Sequence, residues 1–227
     1  MRKIIVNADD YGMTKSLNDG IIYAYNNGVL SSTTVMAHLC SIEEIKRLAT
    51  EAKGIGIGVH LTLTQGIPLT DFSTVREDGT FNRAKIFQDD FNINEVRKEF
   101  IAQIEHVKNS GVKLTHLDSH HHVHMRDSIK DLMTELSLKY KLPVRGMSDN
   151  VQFDARFYNK TVSLEFFMDI IKNSEGIIEI MTHPSFVDAQ LLKATSYNEP
   201  RGLELEILTS SEVKAFYKKN NLVKATY

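Results

Sequence analysis

No tryptophan occurs in this 227-residue chain, so the strongest aromatic stacking platform for a ligand is missing, and eleven Phe and eight Tyr are left to fill that role. A single cysteine, Cys40, excludes an intramolecular disulfide and a cysteine-based zinc site. Cys40 follows an apolar stretch and reads as a small buried residue rather than a nucleophile. Charge of neither sign is in excess: 27 Lys and Arg stand against 29 Asp and Glu. That balance gives no electrostatic case for nucleic acid or a membrane surface as main partner. No run approaches the roughly 18 apolar residues of a membrane-spanning helix. The first ten residues reach Asp9 and Asp10 without an apolar h-region or a small-residue cleavage site. They are therefore not read as a secretory signal, and the cytoplasm is the expected location. No Gly-x-Gly-x-x-Gly follows the first apolar run, and no Gly-Lys-Ser/Thr loop occurs, which argues against a dinucleotide or nucleoside-triphosphate site.

What is present is concentrated histidine. Five of nine histidines fall in the run His116-Leu-Asp-Ser-His120-His121-His122-Val-His124. Packing rarely clusters imidazoles. Metal binding and proton transfer do, because histidine supplies a neutral nitrogen ligand or titrates near pH 7.

Short β-rich runs alternate with amphipathic segments. Lys3–Asn7 reads as a buried strand, Ser16–Asn27 as a helix stopped by Gly28, and Ser32–Ala37 as a strand. Ser41 caps a helix over Ile42–Lys53, with Glu43 and Glu44 where the helix dipole favours them. Ile55–Leu63 is a strand containing His60. Asn94–Ser110 repeats Val96, Phe100, Ile104 and Val107 at helical spacing. Lys113–Ser119 is a strand, Asp127–Tyr140 a helix, and Pro143–Arg145 begins another strand. Ser163–Asn173 is helical, and Gly176–Met181 is a strand running into Thr182-His183-Pro184. Glu204–Thr209 and Ser211–Asn220 read as helices, and Val223–Thr226 as a closing strand. Residues 68–92 are irregular and predict a long loop over the site. About seven strands in such alternation predict one α/β domain over residues 1–227, a distorted or incomplete (β/α) barrel.

The suspicious polar residues share one place in this layout. Asp9 and Asp10 end the first strand, His60 sits late in the third, His116, Asp118 and His120 end the fourth, and His183 follows a later one. In parallel α/β folds those strand ends gather on one face, where ligands bind. One carboxylate of Asp9-Asp10 can bind a metal while the other acts as a base. A catalytic metal site commonly takes three protein ligands, so the remaining histidines orient ligands or contact substrate. Asp118 suits holding a ligand histidine in its tautomer, and His183 is placed to act as a general acid. Arg201 reads as a group for a substrate oxygen, a support for a carboxylate, or a surface ion pair.

The stretches Val6-Asn-Ala-Asp-Asp-Tyr-Gly12, Ser32-Thr-Thr34, Gly58-Val-His-Leu-Thr-Leu-Thr64, Thr115 to His124 and Ile180-Met-Thr-His-Pro184 resemble the YdjC-like carbohydrate deacetylases, as does the tail Tyr197…Arg201…Glu204…Leu208-Thr-Ser210. The resemblance spans almost the whole chain, which looks somewhat short for the family after the fifth strand. It implies a deacetylase-type distorted barrel and hydrolysis of an N-acetyl group on a small amino sugar. It implies Asp10, His60 and His120 as metal ligands, Asp9 as general base, His183 as general acid, Mg²⁺ as the ion, and a homodimer. Two His and one Asp suit Zn²⁺ better on ligand chemistry. A backbone N–H near Tyr11 is a candidate oxyanion donor. Two other readings are a metal-dependent phosphoesterase, for which Lys15 and Arg201 are the nearby cations, and a catalytically silent sugar- or metal-binding protein.

Overall fold

A computed structural model describes residues 2–227. In chain order the elements are β1 (Lys3–Tyr11), α1 (Lys15–Asn27), β2 (Ser32–Val35), α2 (Ile42–Glu51), β3 (Gly56–Leu61), α3 (Arg83–Phe87), α4 (Ile93–Lys108), β4 (Leu114–Ser119), α5 (Asp127–Tyr140), β5 (Val151–Asp154), α6 (Leu164–Lys172), β6 (Ile177–Thr182), α7 (Ala189–Ala194), α8 (Glu199–Thr209), α9 (Ser211–Lys219) and β7 (Val223–Lys224). A short segment of 3₁₀ turns, His120–Met125, kinked at His121 and His122, follows β4.

Local chemistry sets most of these boundaries. Thr14 and Ser41 cap α1 and α2 by accepting from the backbone N–H three residues on. Helix α4 buries Val96, Phe100, Ile104 and Val107, the stripe read from the sequence. Helix α8 begins five residues earlier than its periodicity suggests, because Asn198 caps it and Pro200 occupies its first turn. Helix α7 and strand β5 were not expected; each is too short for a periodic signal.

The strands pair in parallel in the order β4-β3-β2-β1-β6-β5, with β7 beside the start of β1. Pro143–Arg145, expected to begin a strand, forms only one bridge, Val144 beside Leu117. Gly146 then turns the chain away with a φ of 68°. Residues 144 and 151 lie at opposite edges, and seven residues reach at most about 25 Å. A flat sheet would hold those edges about 29 Å apart at about 4.8 Å per strand. The sheet therefore curls, and Arg145 proves it by bonding partners on β1, β4 and β6 at once.

This curled half-barrel has an apolar outside and a polar inside. Ile4, Val6 and Ala8 on β1 join the core under the helices. The alternate positions Asn7 and Asp9 face inward with Thr34, His60, His116, Asp118 and Glu179, all buried. Gly58 makes room in this interior, since a Cβ there would lie 2.6 Å from the His116 ring. Among the described residues no helix is long and apolar enough to cross a membrane.

Candidate active site

The polar interior opens at the C-terminal strand ends into a cavity of about 460 Å³ lined by Asp9, Asp10, His60, His120, His183 and Arg201, among others. Asp9 and Asp10 are adjacent, and on a regular strand they would face opposite sides. Asp10 instead adopts φ 73°, which breaks the pleat and brings both carboxylates to the same opening.

Asp10 Oδ1 lies 3.2 Å from His60 Nε2 and 3.0 Å from His120 Nδ1. Yet this buried oxygen makes no hydrogen bond, which leaves it open as a ligand atom beside the two imidazole nitrogens. They can hold a metal ion, since three such ligand atoms lie within 4.8 Å of one another. The tautomer of His60 is fixed from behind. Its Nδ1 meets Asp118 Oδ1 at 2.7 Å, and Thr34 Oγ1 donates to Asp118 Oδ2 at 2.9 Å. That leaves Nε2 free as a ligand atom. Burial opposes the charge of His60, but Asp118 and Asp10 beside it push its pKa up to about 10. Burial likewise disfavours the Asp10 carboxylate, and Arg201, donating to Oδ2 at 2.6 Å, outweighs it and holds the group well below the usual range.

Asp9 stands beside the triad and is gripped by Arg145. Nη1 and Nη2 donate to its two oxygens at 2.8 and 2.7 Å, and Asn7 Nδ2 adds a bond of 2.9 Å to Oδ1. Burial would raise its pKa, but the Arg145 charge and bonds keep it far below the ordinary carboxylate value. On the other wall, His183 has its backbone N–H donating to Glu204 Oε2, while its unpartnered Nδ1 lies 3.9 Å from Glu204 Oε1. Burial and the Arg201 charge push His183 down to about 4, and burial pushes Glu204 up to about 8. Burial thus favours the neutral form of both groups. The Tyr197 hydroxyl completes this corner by donating to Glu204 Oε1.

The expected residues divide. Asp9, Asp10, His60, His120, His183 and Arg201 come together, with Asp118 directly behind His60. His121 and His122 line the cavity, both in left-handed conformation, with His121 Nδ1 bonded to Thr64 Oγ1 at 2.8 Å. His116 and His124 do not reach it. His116 is sealed in the barrel interior against Asn7, and His124 is locked between Ser119 Oγ and the Arg145 carbonyl. The Tyr11 side chain also leaves the site, its hydroxyl bonding Glu44 Oε1 at 2.9 Å. Lys15 is spent on Asp19 at an exposed position. Sequence reading missed Arg145, which looked like an ordinary strand start, and the pairing of Glu204 with His183. The loop over the site, residues 68–92, carries α3 and supplies Arg83 and Phe87 to the rim. Phe87 lines this side of the cavity, and Tyr158, stacked on Tyr197 at 4.2 Å, lines the other.

The family model described as "YdjC-like protein" matches residues 3–219. A carbohydrate deacetylase of Thermoanaerobacter pseudethanolicus is 35% identical, with 100% of this chain and 98% of that protein covered. One from Vibrio vulnificus is 34% identical, covering 99% and 95%. The alignment with the Thermoanaerobacter protein runs over 245 positions against 227 residues in this chain, in keeping with the expected shortness. A crystal structure described as a putative cellobiose-phosphate cleavage protein from Enterococcus faecalis superposes with a TM-score of 0.91 at 34% identity, covering 99% of this chain and 97% of that one. A family 4 acetyl xylan esterase from Clostridium thermocellum, solved with a cobalt ion, shares the fold at TM-score 0.58 and 10% identity, covering 98% and 87%.

Proposed function

This chain belongs to the YdjC-like family, and from that premise we propose that it is a carbohydrate deacetylase that hydrolyses the N-acetyl group of a small amino sugar of chitobiose type. The observation that carries the reading is the open triad of Asp10, His60 and His120 flanked on one side by Asp9 and on the other by His183. The names of the full-length relatives support the same chemistry.

Amide hydrolysis needs an activated water, a stabilised oxyanion and a protonated leaving amine. A divalent ion held by Asp10, His60 and His120 would supply the Lewis acidity that the first two require. The donor set favours Zn²⁺, and the family resemblance Mg²⁺. Asp9 accepts the water proton. Its two bonds from Arg145 hold the carboxylate ionised and fixed in aim. The backbone N–H of Tyr11 is the proposed oxyanion donor beside the triad. His183 delivers a proton to the leaving nitrogen. As Nε2 gives its proton to the substrate nitrogen, Nδ1, which faces Glu204, can take the one held there, so the donor stays a neutral imidazole and Glu204 becomes the carboxylate. Positioned proton transfer of this kind contributes about 10²–10⁴-fold. Phe87, Tyr158, His121 and His122 form the walls against which sugar faces stack.

The test is acetate release from N,N′-diacetylchitobiose and its phosphorylated form. The protein is stripped with chelator and reloaded with Mg²⁺ or Zn²⁺. Release restored by one ion and absent from Asp9→Asn is the expected result and names the metal. No release with either ion bound at one per chain would overturn the reading.

A further inference from the structure

Tyr227 lies beyond β7, and its side chain turns into the polar interior of the curled sheet. It touches two separate arms that both end on Asp9. Its ring stacks on His116 with centroids 4.5 Å apart and planes 18° from parallel. His116 Nε2 meets Asn7 Oδ1 at 3.1 Å, and Asn7 Nδ2 donates to Asp9 Oδ1. Its hydroxyl donates to Glu179 Oε2. Glu179 Oε1 accepts from Arg145 Nε at 2.7 Å, and Arg145 grips both oxygens of Asp9. We propose that Tyr227 is a positioning residue for the hydrolysis, fixing the aim of Asp9 through Glu179–Arg145 and His116–Asn7; this rests on Asp9 being the base.

The physical case is one of shared charge. A single buried guanidinium serves three carboxylates, Asp9, Asp118 and Glu179. Its aim is therefore a balance among them, and whatever weakens one partner shifts it toward the others. Glu179 is fully buried, and burial pushes it up to about 7. The Tyr227 hydroxyl satisfies its second oxygen and so helps it remain an anion. Without that donor the oxygen is buried and unpaired. The carboxyl's cheapest relief is to take a proton, which slackens its hold on Arg145 Nε. Arg145 is then free to move relative to Asp9, whose direction the reaction depends on.

Tyr227→Phe removes the hydroxyl arm and keeps the stack on His116. The expected result is a fall in kcat of about tenfold with KM and bound metal unchanged, beside a modest drop in thermal midpoint from the unpaired oxygen. A substitution that merely loosened the fold would lower the midpoint and leave kcat unchanged. In a Glu179→Gln background the same change should cost nothing further, since the two residues act in series. An unchanged kcat, or losses that multiply in the double variant, would overturn the proposal. Should the wild-type protein release no acetate with either metal, the deacetylase reading fails by itself. The Nε–H resonance of Arg145, identified by its disappearance in Arg145→Lys, then decides the relay. Its displacement in Tyr227→Phe supports the coupling, and an unmoved resonance refutes it.

Discussion

At the scale of single residues, the site separates two carboxylates that are neighbours in sequence. Asp10 faces His60 and His120 with an oxygen that nothing else uses, whereas both oxygens of Asp9 are occupied by Arg145. Asp9→Asn should therefore keep its metal and lose acetate release, while His120→Ala loses both. Metal analysis beside the activity assay separates the two, and metal-free Asp9→Asn would refute the division of roles. His60 makes a second statement. With its pKa raised to about 10 in the metal-free site, it carries a proton at pH 7 that a metal must displace. Binding should release close to one proton, and apparent affinity should rise about tenfold per pH unit between about 7 and 9. Calorimetry in buffers of different ionisation enthalpy measures the proton directly. The residue types at these positions were legible in the sequence. The tautomer of His60 was legible only as a suggestion, because Asp118 sits fifty-eight positions away and its distance from His60 is a matter of strand pairing.

At the scale of elements, the loop over the site is held by a helix rather than by its own structure. Glu99 on α4 is fully buried and accepts from Leu69 N, Thr70 N, Thr70 Oγ1 and Gln103 Nε2. Nearby, Glu95 accepts from the N–H and hydroxyl of Ser73. Glu99→Gln turns an acceptor into a donor facing donors, at a cost of about 1–3 kcal/mol. The loop that supplies Arg83 and Phe87 should loosen, raising KM several-fold with a smaller change in kcat. Steady-state kinetics and faster proteolytic cleavage within residues 68–92 check this; an unchanged KM would show that the loop holds without the latch. Periodicity revealed α4 and its apolar stripe, but it could not reveal Glu99, which lies buried where a helix surface residue was equally consistent. The same limit applies to α8. Its first turn carries Arg201 and its second Glu204, and only the Asn198 cap and Pro200 show that the helix reaches back to hold both.

At the scale of the whole molecule, burial disfavours the charged form of most histidines, with His60, held between Asp118 and Asp10, the exception. His38, His116, His121, His122, His124 and His183 all have pKa values lowered, with burial the largest cause. Glu179 and Glu204 are shifted the opposite way, to about 7 and about 8. The sign follows from comparing folded and unfolded chains between pH 4.5 and 6.5. Six histidines bind protons more readily when unfolded, and His60 and two carboxyls when folded, so the unfolded chain gains protons on balance. Stability should therefore fall as pH drops below about 6.5, and continue to fall toward pH 4. Thermal midpoints of the metal-free protein at pH 7.5 and 5 test this, and an equal or higher midpoint at pH 5 would refute the net sign.

The sequence by itself determined the alternation of strands and helices, the cap of α2, and the delivery of Asp and His to one end of a parallel sheet. Those features are local: a side chain's face follows from a period of 2 or 3.6, and a cap from its own next turn. Only the tertiary structure decided which of those groups meet. The curl of the sheet carries Arg145 across the barrel to Asp9, 136 positions away, and places Arg201 on Asp10 from 191 positions away. It also withdraws His116 and His124 from the cluster that made them conspicuous. Strand periodicity fixes the direction of each side chain but not the curvature of the sheet, and it is the curvature that sets the distances between strands which are not neighbours.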